Sequence, residues 1–82
     1  MSSDPVVMAL RAALSAADSV QIRIALGRRL LEIGQPGEAL PELERVIAAE
    51  PANREALEAA ARAALAVGDA ARAQAYQLAL AA

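Results

Sequence analysis

Residues 30–39 (L-L-E-I-G-Q-P-G-E-A) are echoed 34 positions later by residues 64–73 (A-L-A-V-G-D-A-A-R-A). At that offset Ala25 matches Ala59, Arg28 matches Arg62, and Gly27 meets the small Ala61. Further on, Leu31 matches Leu65, Ile33 matches Val67, Gly34 matches Gly68, Ala39 matches Ala73, and Val46 stands opposite Leu80. A fixed period near 34 residues is the signature of a helix–turn–helix solenoid. Chains of this kind generally work as surfaces for other molecules, not as sites for chemistry.

The chain has 82 residues, enough for one small domain with a barely adequate core. Its apolar fraction of 57% overstates that core, because 24 of the residues are Ala, against eleven Leu, five Val, four Ile and no Phe or Trp. Burying Ala removes little area from water. Ala instead supplies helix propensity, since it loses no side-chain entropy on entering a helix. Many close-packed helices are expected, and with few β-branched residues and no alternating run a sheet has no support.

Caps and breakers place five helices. Asp4-Pro5 starts the first, with Val6, Val7, Leu10, Ala13, Leu14 and Ala17 on one face. The second begins at Asp18 or Ser19, where Asp18-x-x-Gln21 has the form of a capping box, and turns Ile22, Leu26, Leu30 and Ile33 inward until Gly34. The third begins within residues 35–38 and buries Ala39, Leu40, Leu43, Val46 and Ile47 before Pro51. Asn53 caps the fourth, which Gly68 ends, and Asp69 caps the fifth, which runs to Ala82. Connections of about two to four residues make consecutive helices antiparallel neighbours. Pro41 argues against this map, since a proline in a helix interior costs about 3 kcal/mol. A helix starting at Gly37 or Glu38 puts Pro41 at the end of its first turn, where N–H groups are largely unpaired, and no kink is expected beyond it.

The pattern resembles the tetratricopeptide repeat. The resemblance rests on a small residue midway in the first helix of each pair (Gly27, Ala61), a glycine after it (Gly34, Gly68), an alanine opening the second helix (Ala39, Ala73), and Pro51 followed by Ala-Asn. It implies an all-α, antiparallel helix-hairpin superhelix in one domain: a half repeat over 4–17, a repeat over 20–51 and another over 54–82. The chain departs from the family where Arg23 and Leu57 stand in place of a common tryptophan, Leu30 and Ala64 in place of a tyrosine, and Gln77 at a normally apolar position. The resemblance also implies a non-catalytic adaptor or scaffold, with first helices lining a concave groove for a protein or peptide partner.

Helical spacing then gives two exposed stripes on that groove, Gln21, Ile24, Arg28 and Leu31 on one helix and Glu55, Glu58, Arg62 and Leu65 one repeat later. Stacking brings Arg28 and Arg62 to corresponding levels. Two guanidiniums beside aliphatic side chains suit a peptide carboxylate and an apolar neighbour. An alternative reading pairs Glu58 with Arg62 and Arg28 with Glu32 as ordinary solvated ion pairs, worth tenths of a kcal/mol, order of magnitude ~0.3. Family members that clamp acidic chaperone C-termini use Lys and Asn at corresponding places; this chain has no Lys, and that specificity is not carried over.

Other chemistries find no footing. The net charge is −2, and Tyr76 is the only aromatic residue, so nucleic-acid binding lacks a basic, stacking surface despite Arg23, Arg28 and Arg29. Glu38, Glu42 and Glu44 read as a solvated face of the third helix. Ser2, Ser3, Ser15 and Ser19 have no His partner for nucleophilic catalysis, and no glycine-rich loop with a Lys cradles phosphates. No loop concentrates acidic residues for a metal, there is no Cys, and no cofactor is expected. No secretory signal and no apolar run of roughly 20 residues is present, which points to a cytoplasmic protein without membrane contact. The Arg-only cations and abundant Ala suggest a GC-rich, bacterial coding sequence. The last helix, with Tyr76, Leu78 and Leu80 beside Arg72, Gln74 and Gln77, leaves the stack without a covering helix. It serves either self-association or junction with more chain. The arrangement resembles repeat segments ahead of catalytic domains in some bacterial multidomain proteins, including certain AAA-type ATPases.

Overall fold

The computed structural model describes residues 4–82 and contains α1 (Pro5–Ala16), α2 (Val20–Glu32), α3 (Pro36–Ala49), α4 (Arg54–Ala66) and α5 (Ala70–Ala81). Ser2 and Ser3 lie outside the described residues. Each start is set locally. Asp4 accepts hydrogen bonds from the N–H groups of Val6 and Val7, Asn53 from Ala56, and Asp69 from Arg72, which satisfies donors that an α-helix leaves unpaired. α2 is capped by Ser19, whose hydroxyl accepts from Ile22 N–H. The expected Asp18–Gln21 capping box does not form, because Asp18 turns its carboxylate to Arg23 at 2.6 Å instead. α2 and α4 end at Gly34 and Gly68, both at positive φ (76° and 82°), and the N–H of the residue after each glycine bonds back to the Leu30 or Ala64 carbonyl.

α3 opens on Pro36, a residue pre-set for the first helical position. That start lies within the expected residues 35–38 but ahead of Gly37, and it puts Pro41 in the second turn, where the missing N–H leaves the Gly37 carbonyl without its helical partner. The helix nevertheless runs on to Ala49. The buried positions that follow, Leu43 and Val46, anchor it on the far side of the proline.

Successive helices pack against one another, and α2 also touches α4 directly. No Cα of α1 lies within 8 Å of α3, nor any of α3 within 8 Å of α5. The even-numbered helices thus form one rank and the odd-numbered helices a second, more widely spaced one. A stack closer on one side curves towards that side, so α2 and α4 line its inner face. The shortest extent, 13 Å between Cα atoms, is about one interaxial distance plus the helix radii, as two ranks require.

The core sits between the ranks. Leu26, Leu30, Ala39 and Leu43 are fully buried there with Val7, Ala60, Ala63, Ala64 and Ala73. Gly27 permits the closest approach: a Cβ built on it would lie 2.6 Å from Leu43 Cδ2 and 2.7 Å from Cγ. The equivalent Ala61 is also buried. α4 is wrapped by α2, α3 and α5, and six of its seven buried residues are Ala, small enough to admit three neighbours at close range. On α1 the expected inner face narrows, since Val6 is 45% exposed and Ala17 is exposed. Val7 is buried, with Leu10 and Leu14 packed against the core.

Long charged side chains tie the wider rank together. Arg11 of α1 reaches Glu38 (3.2 Å) and Glu42 (3.4 Å) on α3, and Arg72 of α5 reaches Glu44 (2.9 Å). Arg23, 12% exposed, lies between Asp18 and Glu42. Glu38 is exposed, as a solvated face requires, whereas Glu42 and Glu44 are half-buried; all three are points where α1, α2 or α5 attaches to α3. Asp4 also receives Arg29 (2.7 Å), and this hydrogen bond, together with the cap, holds its carboxyl below the usual range. No helix is long and apolar enough to cross a membrane among the described residues.

Candidate functional site

The inner face carries most of the side chains that helical spacing assigns to it, in a different arrangement. Gln21 and Arg28 of α2 are exposed, as are Glu55, Glu58, Arg62 and Leu65 of α4. Ile24 is not: it is 3% exposed, packed with Val46 and Ala56 in a small core where α2, α3 and α4 meet. The helical wheel puts Ile24 beside Arg28, but α4 approaches α2 closely enough to cover it. Leu31 is half-buried against the main core. The open apolar surface of the face is thus Leu65, 56% exposed.

The charges are redistributed as well. Arg28 does not pair with Glu32; it reaches across to α4 and meets Glu55 at 3.3 Å, with both side chains more than half exposed. Glu32 is approached by Arg29 instead (3.7 Å). Helical side chains lean towards the helix N-terminus, which carries the Arg28 guanidinium down to the first turn of α4. An exposed pair of this kind contributes about 0–1 kcal/mol. Its geometric effect is larger, since Arg28 is engaged by a neighbour rather than standing free beside Arg62. Glu58 and Arg62 sit at helical i,i+4 spacing, yet neither has an ion pair among the described residues. The face therefore presents one matched pair and two unmatched, opposite charges next to Leu65.

A depression of about 290 Å³ lies elsewhere, between the α1–α2 turn and the second half of α3. Asp18, Arg23 and Arg45 line it with Val20, Val46 and Ala49. Asp18 holds Arg23 there, and that hydrogen bond above all, with a lesser contribution from Arg45, lowers the Asp18 pKa; Arg45 itself forms no ion pair among the described residues. This hollow lies apart from the stripe and is not part of the candidate face.

On α5 the three apolar residues have separate fates. Leu78 is 65% exposed, Leu80 is half-buried, and Tyr76 packs against the core. The Tyr76 hydroxyl donates to the Glu44 carboxylate at 2.5 Å, beside Arg72. Tyr76 is thus half-buried and fastens α5 to α3. The signal was present in sequence, since Glu44 and Arg72 are charges of opposite sign on helices of the same rank. Their register was not.

A family model for the tetratricopeptide repeat matches residues 20–63, more than half of the chain and the part that contains α2, α3 and most of α4. Comparison with curated proteins and with solved structures found no match.

Burial first, and then the bond to Glu44, push the Tyr76 hydroxyl from 10.0 up to about 12. The folded state binds this proton more tightly than the unfolded state. The stabilisation is therefore complete below pH 10 and is lost as pH rises towards 12. Because Tyr76 is the only tyrosine, tyrosinate absorbance reads it directly. The folded chain is predicted to titrate well above pH 10, and Glu44→Gln to bring the midpoint part of the way back. A midpoint at the ordinary value in the folded chain contradicts the α3–α5 fastening.

Proposed function

This chain belongs to the tetratricopeptide repeat family, generally a protein–protein interaction module, and from that membership we propose that it is a non-catalytic adaptor holding a segment of a partner protein against α2 and α4. The observation that carries the reading is the asymmetry of the two ranks. On the outer rank Glu38, Glu42 and Glu44 are engaged by Arg11, Arg23 and Arg72, and Tyr76 is fastened down. On the inner rank Glu58, Arg62 and Leu65 are exposed on adjacent turns of α4, with Gln21 exposed on α2. Unmatched groups on a concave rank of rigid helices make a surface that a partner can complete, because the helices need not reorganise to receive it. The buried Ile24 lies beneath this surface as support.

A second reading, assembly of the chain with its own copies or with a companion domain, is favoured by a different observation. Among the described residues, the large apolar side chains more than two-fifths exposed are Val6 and Met8 on α1 and Leu65, Val67 and Leu78 on α4, its C-cap and α5; α2 and α3 carry none. The flanks of the stack are thus its stickiest parts.

The adaptor reading is tested by selecting binders from a random peptide library displayed on phage and mapping the best of them by amide chemical shifts. The expected shifts fall on α2 and α4, and Leu65→Glu weakens binding about tenfold or more. A library that yields no binder, or binders that map to α3 and α5, contradicts it. Sedimentation across a concentration series tests the second reading: association that Leu78→Glu abolishes supports it, and a strict monomer at the highest concentration rules out self-assembly.

A further inference from the structure

The charge layout of the inner face restricts the chemistry of the segment that fits it. If both Arg28 and Arg62 were open, the face would be a double cation and would suit an acidic tail. The structure has one of the two already answered, since Arg28 is held by Glu55 across the α2–α4 junction. What stands open is Arg62 together with Glu58 one turn before it, both exposed, neither in an ion pair among the described residues, with Leu65 projecting one turn after.

We propose that this face takes a partner segment of mixed charge: one carboxylate for Arg62, one cation for Glu58 and an aliphatic side chain for Leu65, with Arg28 withheld by Glu55. The inference rests on the adaptor reading above and specifies its partner. An Arg guanidinium holds a carboxylate through two parallel N–H bonds, which gives direction as well as attraction. A second carboxylate on the segment meets Glu58, which has no ion pair of its own once Arg62 is engaged by the first, and is repelled, so a polyacidic tail is a poor fit. Glu55 acts here as an internal competitor: it occupies Arg28 without any entropy of association, and an incoming carboxylate must displace it. Arg28 thereby contributes to the α2–α4 junction and leaves recognition to Arg62.

The test repeats the peptide selection with four forms of the chain. Peptides selected on the unaltered protein are expected to carry one acidic and one basic residue around a Leu, Ile or Val. Arg62→Ala should weaken the best of them about tenfold or more, as loss of a charge-assisted hydrogen bond does. Arg28→Ala should change its affinity by less than about twofold. Glu55→Gln should admit peptides with a second acidic residue, which Arg28 then receives. The proposal is overturned if Arg28→Ala costs as much as Arg62→Ala, if Glu55→Gln leaves the selected sequences unchanged, or if the selected peptides lack either charge. Peptides that map to α2 and α4 but lack the mixed charge overturn this inference and leave the adaptor reading standing. Peptides that map elsewhere overturn both. Circular dichroism of each variant confirms that its helices are retained; the altered positions are exposed, so loss of fold is not expected.

Discussion

The rest of the structure depends on the contact between Gly27 and Leu43. A Cβ at position 27 would overlap the branch of Leu43 as well as its tip, and Leu43 is fully buried. Only a residue without a side chain lets α2 and α3 come this close. The depth of that hairpin sets where α4 can lie, because α4 packs against α3 and α2 together. Covering Ile24, bringing Glu55 to Arg28 and leaving Glu58, Arg62 and Leu65 outward are consequences of that placement. Interiors are packed densely enough that a shift at one helix pair is transmitted to the next.

Alanine and arginine divide the remaining work. A chain with no Phe or Trp cannot fill wide gaps between helices, so α4 is built mainly of Ala and held at short range. Where the ranks diverge and Ala cannot bridge them, Arg11, Arg23 and Arg72 span the distance and pair with α3. Arg23 shows the exchange most plainly. It stands where related repeats commonly have a large aromatic, and its half-buried stem fills space while its guanidinium joins Asp18 to Glu42. Such pairs add modest stability on the surface; where side chains are largely covered, desolvation offsets much of the attraction, and the larger cost comes from removing one partner of the pair.

The fold was legible in the sequence because its signals are local. Asp4, Asn53, Asp69, Gly34 and Gly68 act within a few residues of themselves, and the helices begin and end close to where these residues predict. Gly27 was legible through the repeat. What periodicity could not supply is the lateral register of one helix on another. A helical wheel assigns Ile24 to the face that holds Arg28, and only the approach of α4 buries it. Glu42 and Tyr76 likewise have polar or amphipathic side chains whose partners lie 19 to 32 residues away. Pro41 falls in the second turn instead of the first for a simpler reason: of the possible starts within 35–38, Pro36 is itself a good first residue and takes that position ahead of Gly37.

The measurement that bears most directly on this account is a double-mutant cycle between Gly27 and Leu43, read by urea unfolding. Replacing a helical glycine by alanine ordinarily stabilises by about 0.8–1 kcal/mol. Here the overlap with Leu43 opposes that gain, and overpacking costs about 1–3 kcal/mol. Gly27→Ala is therefore predicted to destabilise the unaltered chain and to stabilise the chain that already carries Leu43→Ala, where the overlapping atoms are gone. Equal effects of Gly27→Ala in the two backgrounds would show that the close approach does not set the packing, and would contradict the account.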